Sequence, residues 1–163
     1  MYFNVFGINY HKAVIEIREK VDFSDSKRSE LYLLSETPIS LDFAQSFYRK
    51  FFNLNDAKNY VFLKQDEDAL VHLFNTAIGL DSLIIGEDQI LGQIKDAYQN
   101  ALDIGSTGKI TNQVFREVIN KSKSIKTQSK ASDNPTNISY IAIKKLKENM
   151  DLRNKKVLLI GVG

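Results

Sequence analysis

The 163-residue sequence contains no cysteine. Disulfide bonds and metal sites built on thiolates are therefore excluded. No apolar run approaches the roughly 20 residues that a membrane-spanning helix needs. The first eleven residues alternate as a strand does and lack a basic leader, so we do not expect a signal peptide. By default, these absences favour a cytoplasmic protein without a membrane partner.

The net charge of +2 is too small to indicate a nucleic-acid partner on its own, although the charge is unevenly distributed. Six basic residues against one acid, Glu117, fall in the stretch 109–130: Lys109, Arg116, Lys121, Lys123, Lys126 and Lys130. A helix with this bias could contact nucleic-acid phosphates, and a solvated helix face explains it equally well. The two histidines are isolated and no acidic cluster has ligand spacing, so no metal site is expected.

The apolar pattern predicts an α+β fold, in which a small, mainly antiparallel sheet carries helices and leads into a helical subdomain. Strands are expected over 2–9, 31–34 and 60–63. Helices are expected over 14–23, up to residue 52 after an N-cap at Ser40, from residue 66 to 78, over 88–102 and over 110–126. The predicted buried stripe of the helix after Ser40 consists of Phe43, Ala44, Phe47 and Phe51.

A cluster of turn-forming residues at 132–136 predicts a domain boundary, which divides the chain into 1–134 and 135–163. After a short linker helix, the stretch 155–160 has the pattern of a buried parallel strand leading into Gly161-Val162-Gly163. A glycine pair after such a strand is typical of a dinucleotide-binding loop. The third glycine and the helix that would hold the pyrophosphate do not follow, so ordinary dinucleotide binding is not expected.

The most informative stretch, 79–98, reads GLDSLIIGEDQILGQIKDAY. Its first half places polar and small residues between apolar ones, and its second half is an amphipathic helix with Asp88 as a candidate N-cap. Gln89 and Gln93 are four residues apart and project from one side of that helix. The apolar stripe comprises Ile90, Leu91, Ile94, Ala97, Tyr98 and Ala101. Glycines, an acid and amides gathered at a helix start favour a site for a small polar substrate.

This stretch closely resembles the signature of the glutamyl-tRNA reductases. FGINYHKA at 6–13, EIREK at 16–20 and LRNKKVLLIGVG at 152–163 also resemble family segments, and His72 precedes Ser82 by ten residues, as in the family. The resemblance implies a fold similar to the ferredoxin-like plait. It also implies an enzyme that uses NADPH to reduce glutamyl-tRNA to glutamate-1-semialdehyde through a cysteine thioester, in the first step of tetrapyrrole biosynthesis. The family enzyme is a homodimer, and glutamate-1-semialdehyde aminomutase is the expected partner.

The resemblance also assigns site residues. His72 would support catalysis near the thioester, and the first glycines of the nucleotide loop would be Gly161 and Gly163. The residues expected to contact the glutamyl group are Arg28, Ser82, Glu87, Asp88, Gln89 and Gln93. Neither NADPH nor a metal ion is expected to be bound to this chain.

The family's nucleophilic cysteine has no counterpart. The nearest text to its motif is SDSKRSELY at 24–32, where Arg28, Ser29, Glu30 and Tyr32 match the motif's tail and Ser26 falls in the cysteine's place. Either serine replaces cysteine, or a segment of roughly 20 residues, the rest of a helix and a strand with a loop, is absent before the motif. The second explanation is favoured, because nothing in the chain supplies the strand that precedes the motif. Either way, the chain is expected to be inactive in reduction.

Two other functions remain open. The chain could be a non-catalytic tRNA-binding or regulatory module on the same scaffold, or an accessory domain of another Rossmann dehydrogenase. The resemblance to the glutamyl-tRNA reductases predicts that His72, Ser82 and Gln89 line one cleft, whereas an accessory domain of another dehydrogenase predicts that they scatter.

Overall fold

The computed structural model describes residues 1–8, 29–81, 88–128 and 138–151, together with positions 13, 17, 21 and 156. The strands in this part are β1 (Tyr2–Ile8), β2 (Ser29–Ser35) and β3 (Phe62–Gln65). The helices are α1 (Leu41–Phe52), α2 (Ala57–Tyr60), α3 (Asp66–Ile78), α4 (Asp88–Asp103), α5 (Lys109–Gln128) and α6 (Ile138–Asn149).

The strands form one antiparallel sheet in the order β2-β1-β3, so β1 is the central strand. In the register of the sheet, Gly7 lies opposite Glu30 on one side and opposite Phe62 on the other. Because β2 and β3 both run against β1, they are parallel to each other, and α1 connects them across β1. This is a split β-α-β unit of the ferredoxin-like type. The predicted α+β class with an antiparallel sheet is therefore confirmed.

Side chains from the two faces of the sheet form two separate cores, as the alternation along a strand requires. The first core lies between one face and the helices α3, α4 and α5, and it buries Phe3, Val5, Leu73, Leu91 and Phe115 among others. The second core contains the opposite face of β1 and residues of α1 and α2, and it buries Phe6, Ile8, Ala44, Tyr48 and Ala57 among others.

The helix after Ser40 begins as predicted but buries a different stripe. The Ser40 hydroxyl accepts a hydrogen bond from the Phe43 amide at 3.1 Å, which confirms the N-cap. The prediction of Phe43 and Phe51 as buried residues is wrong, because 50% and 64% of these side chains are exposed. Ala44 and Tyr48 are the buried positions instead. The side of the helix that carries Tyr48 faces the core, because the phenol there donates a buried hydrogen bond to the Ser29 carbonyl at the start of β2.

The third strand lies two residues later than predicted. Residues Ala57–Tyr60 form the helical turn α2, which ends where the Val61 amide donates to the Ala57 carbonyl at 2.9 Å. Both Ala57 and Val61 are buried in the second core. Residues 57–60 therefore form a helical turn, which buries these two side chains on one side, although the following apolar run favours a strand.

The basic helix is confirmed as α5, but its cations do not all share one exposed face. Lys109, Arg116, Lys121 and Lys123 are exposed, whereas Lys126 is buried on the same side as Phe115, Val118 and Ser122. The predicted linker helix is present as α6. The domain boundary at 132–136 and the strand 155–160 fall outside the described residues, Lys156 excepted.

Candidate functional site

Helix α3 positions His72 against the sheet. Its start is held by Asp66, whose carboxylate accepts a hydrogen bond from the Phe3 amide at 3.0 Å. Asp66, Glu67 and Asp68 place negative charge at the helix N-terminus, where the helix dipole favours it. The helix ends at Gly79, which adopts a left-handed conformation that glycine tolerates best. The buried stripe of α3 comprises Ala69, His72, Leu73, Thr76 and Ala77.

The imidazole of His72 lies between two carboxylates. Its Nε2 is 3.0 Å from Glu30 Oε1, which is a hydrogen bond, and its Nδ1 is 3.7 Å from Asp81 Oδ2. Only 4% of the His72 side chain and 5% of the Glu30 side chain are exposed. The ring of Phe62 meets the imidazole edge-on, with 5.1 Å between ring centroids. The orientation of the imidazole is thus fixed on three sides by β2, β3 and the turn after α3.

The Glu30 carboxylate is positioned by a second hydrogen bond, in addition to its bond with His72. Its second carboxylate oxygen, Oε2, accepts a hydrogen bond from the Tyr32 hydroxyl at 2.8 Å. The sequence separation between Glu30 and His72 is 42 residues, so only the fold brings the two together. A carboxylate bonded to one imidazole nitrogen fixes which nitrogen carries a proton there, which is the usual way of preparing a histidine for proton transfer.

Close strand approach at Gly7 determines where Glu30 lies. A Cβ atom on Gly7 would be 2.5 Å from the Ser29 carbonyl oxygen and 2.8 Å from Glu30 Cγ. Glycine therefore leaves the space that the Glu30 side chain occupies. Tyr48, in the second core, fixes Ser29, because its hydroxyl donates a hydrogen bond to the Ser29 carbonyl at 2.8 Å. Burial raises the pKa of Tyr48 well above its usual range, so the phenol remains a donor.

A cavity of about 610 Å³ adjoins this cluster, and Glu30 lines its wall. Most other lining residues belong to β2, α4 and α5. Among the described lining residues, Glu30 is the only charged one.

Of the predicted site residues, the structure describes His72, Asp88, Gln89 and Gln93. His72 is in the cluster, and Gln93 lines the adjoining cavity, whereas Gln89 is exposed and is not part of that lining. Asp88 is the first residue of α4. The remaining predicted residues fall outside the described part of the chain: Arg28, Ser82, Glu87, Gly161 and Gly163.

Sequence reasoning did not assign Glu30, Asp81 and Tyr32 to the site. A signal for two of them existed, since Glu30 and Tyr32 match the tail of the family's cysteine motif. Asp81 lies two residues after Gly79, whose left-handed conformation ends α3. This turn brings the Asp81 carboxylate near the imidazole of His72. Within the described ranges, no group of His, Asp and Glu side chains is arranged to hold a metal ion. None of the helices in those ranges is both long and apolar enough to cross a membrane.

The split β-α-β sheet, the helices on one face and the buried carboxylate–imidazole pair define an α+β domain with a buried polar cluster. A family model described as the N-terminal domain of glutamyl-tRNA(Glu) reductase matches residues 26–129. The chain belongs to the glutamyl-tRNA reductase family and contains its N-terminal domain.

Individual relatives agree with this assignment. The chain is 39% identical to a glutamyl-tRNA reductase of Clostridium novyi (strain NT), in an alignment that covers 98% of the chain and 45% of the relative. It is 37% identical to the enzyme of Alkaliphilus metalliredigens (strain QYMF), with 98% and 44% covered. The structure of glutamyl-tRNA reductase from Methanopyrus kandleri is similar, with a TM-score of 0.67 and 25% identity over 90% of this chain and 39% of that one. The chain thus spans less than half the length of these relatives.

The alignments also contain positions that this chain lacks. The alignment with the Clostridium novyi protein is 184 positions long, whereas 98% of this chain is only about 160 residues. Roughly two dozen residues of that relative therefore have no counterpart here.

Proposed function

We propose that residues 1–134 form the glutamate-recognising domain of a glutamyl-tRNA reductase. The complete enzyme would use NADPH to reduce glutamyl-tRNA(Glu) to glutamate-1-semialdehyde, the first step of tetrapyrrole biosynthesis in the cytoplasm. This chain would bind the aminoacyl end of the tRNA but would not reduce it. Homodimerisation and association with glutamate-1-semialdehyde aminomutase are proposed for the full-length protein.

The observation that carries this proposal is the 3.0 Å contact between Glu30 and His72. Glu30 belongs to the tail of the cysteine motif, and His72 is the histidine that the family resemblance predicts near the thioester. Glu30 and His72, which are 42 residues apart in the sequence, therefore meet in one buried cluster near the start of β2. The common cleft expected for His72, Ser82 and Gln89 stays a prediction, because Ser82 lies outside the described residues.

In this proposal, His72 handles the proton and Glu30 positions His72. Attack of a thiolate on the glutamyl ester forms the S–C bond and breaks the bond to the ribose oxygen of the tRNA, which must gain a proton as it leaves. His72 is the group in the cluster suited to supply that proton. Ser82, Glu87, Asp88, Gln89 and Gln93, with Arg28, remain the residues proposed to contact the glutamyl group.

Two observations support a missing segment rather than a serine replacing the cysteine. About two dozen residues of a relative have no counterpart in the chain. In addition, only seven residues separate Val21 from Ser29. A strand of about 5–6 residues with a turn at each end needs more than that.

NADPH would supply the hydride in the complete enzyme. Its proposed first contacts, Gly161 and Gly163, lie outside the described residues, so no described side chain is assigned to the nucleotide. The role proposed for this chain is confined to binding and orienting the aminoacyl group.

Binding of a stable amide analogue of glutamyl-tRNA(Glu) tests the proposal, with deacylated tRNA as the reference ligand. We expect tighter binding of the glutamyl form, and loss of that preference in Glu30→Gln and His72→Asn. Glu36→Gln, an exposed carboxylate just after β2, is the matched control and should keep the preference. Equal affinity for both tRNAs in the unmodified chain would refute glutamate recognition and would support the alternative, a non-catalytic tRNA-binding module.

A second experiment addresses the thiol. Insertion before the motif of the residues that the Clostridium novyi relative has in excess, with the cysteine that the family resemblance implies, should allow a covalent glutamyl adduct to form on incubation with glutamyl-tRNA. Mass spectrometry detects this adduct without any need for NADPH. An inserted variant that binds glutamyl-tRNA but forms no adduct would favour the regulatory alternative.

A further inference from the structure

Helix α5 carries a continuous row of hydrogen-bond donors along its exposed side. The row consists of five positions at alternating steps of four and three residues: Lys109, Gln113, Arg116, Asn120 and Lys123. Side chains three or four residues apart are neighbours on the surface of a helix, so the five form one line. All five are exposed, and we call them the α5 row.

The charge of the α5 row has one sign. Its cations follow each other at seven-residue steps, or about 10.5 Å at the rise of an α-helix. The one acid of α5, Glu117, comes directly after Arg116 and therefore lies about 100° around the helix from it. Among the residues that the structure describes, no carboxylate lies within ion-pair distance of the three cations. A helix face that only meets solvent commonly mixes both signs, as Lys95 and Asp96 do on α4.

Helix α5 belongs to the layer that carries the polar cluster. Its buried side includes Phe115 and Val118, which lie in the first core together with Leu73 of α3. The same helix α3 places His72 against Glu30. A polyanion bound along the α5 row would therefore lie on the same side of the sheet as the cluster.

We propose that the α5 row binds the sugar-phosphate backbone of double-helical RNA. Ammonium and guanidinium groups pair with phosphate oxygens, and side-chain amides hydrogen-bond to phosphates and 2′-hydroxyls. From 109 to 123 the row spans about 21 Å, so that a duplex laid along it offers phosphates to each cation. The proposal rests on the proposed function for its choice of RNA, since it assigns a surface to the tRNA part of the substrate. It does not depend on recognition of the glutamyl group.

Binding of fluorescently labelled, deacylated tRNA(Glu), followed by anisotropy at several salt concentrations, tests the proposal. The variant combines Lys109→Gln, Arg116→Gln and Lys123→Gln. We expect its affinity to fall at least about tenfold at about 0.1 M salt. The slope of log K against log salt concentration should become shallower by about 2–3, because each lost phosphate contact removes about 0.7–0.9.

A matched control removes the same charge elsewhere. It combines Arg49→Gln, Lys58→Gln and Lys64→Gln, which are exposed positions on α1, α2 and β3. A general effect of net charge would weaken binding equally in both triple variants, whereas we expect the control to change the affinity by less than about twofold. All six positions are exposed, so thermal unfolding should show that both variants fold.

The ratio of the affinities for glutamyl-tRNA and deacylated tRNA separates this proposal from glutamate recognition. The α5 row variant should weaken both ligands by the same factor and leave that ratio unchanged. Loss of glutamyl preference in the unmodified chain would refute glutamate recognition and would leave the effect of the row intact.

Three results would overturn the proposal. The first is absence of saturable tRNA binding by the unmodified chain. The second is equal weakening by the α5 row variant and its control. The third is binding of a labelled polyglutamate as tight as that of the tRNA, since an acidic protein would then be the fitting partner.

Discussion

Replacement of Gly7 by alanine tests the strand contact on which the position of Glu30 depends. The added methyl group would lie 2.5 Å from the Ser29 carbonyl oxygen and 2.8 Å from Glu30 Cγ. The oxygen belongs to the backbone of β2 and cannot rotate away as a side chain could. Relief therefore requires β1 and β2 to separate where Gly7 faces Glu30 and Ile8 faces Ser29.

The expected cost is about 2 kcal/mol of unfolding free energy. Overpacking of a closed site costs about 1–3 kcal/mol, and a weakened ladder hydrogen bond costs about 1 kcal/mol more. Against this, alanine reduces the entropy of the unfolded chain, which stabilises by about 0.4–1 kcal/mol. With an m-value of about 2 kcal/mol/M, the midpoint of urea unfolding should fall by about 1 M.

Urea unfolding followed by far-UV circular dichroism measures this shift. Gly92→Ala is the control, because Gly92 lies in α4 and a Cβ atom there would meet nothing within 4 Å. Alanine in a helix interior should raise stability by about 0.5–1 kcal/mol. A Gly7→Ala midpoint equal to or above that of the unmodified chain would refute the close approach of β1 to β2.

Three further predictions concern stability. Because the pKa of Tyr48 is raised by burial, folded protein keeps its phenol proton above pH 10 while unfolded protein loses it. Stability should therefore be unaffected by this group below pH 10 and fall by up to about 1.4 kcal/mol per pH unit above it, and Tyr48→Phe should remove that slope in urea titrations at several pH values. Ser40→Ala should lower the unfolding free energy by about 1 kcal/mol through loss of the N-cap, and an unchanged thermal midpoint would contradict the cap. Phe51→Ala should cost less than about 1 kcal/mol, whereas Leu73→Ala, fully buried, should cost about 2–5 kcal/mol; similar losses in chemical denaturation would contradict the observed burial.

The family resemblance singles out His72, by its distance from Ser82, and Gln93, on the helix that follows the signature stretch. In the structure, His72 contacts Glu30, and Gln93 lines the cavity that Glu30 also lines. The contacts of Glu30 and Asp81 with His72 were not predictable, because a pattern of residues along the chain carries no information on which distant side chains meet.

The errors in the fold have the same origin. Periodicity on α1 indicated an apolar side rich in phenylalanine, but it could not decide which part of a broad apolar side would face the sheet. Tyr48 determines which side of α1 faces the sheet. Its buried phenol needs a hydrogen-bond partner, and the Ser29 carbonyl is in reach only after β2 has paired with β1. Likewise, Lys126 belongs to a basic run in the sequence but is buried in the packed structure.

The amino-acid sequence by itself determined the class of fold, the order of most elements, the family and the absence of a cysteine nucleophile, since these follow from local periodicity, capping and motif text. Only the tertiary structure decided that Glu30 fixes His72, that Gly7 leaves room for the Glu30 side chain, and that a cavity lined mostly by β2, α4 and α5 lies beside Glu30. These features arise from contacts between segments tens of residues apart, and their geometry exists only once the sheet and its helices have packed together.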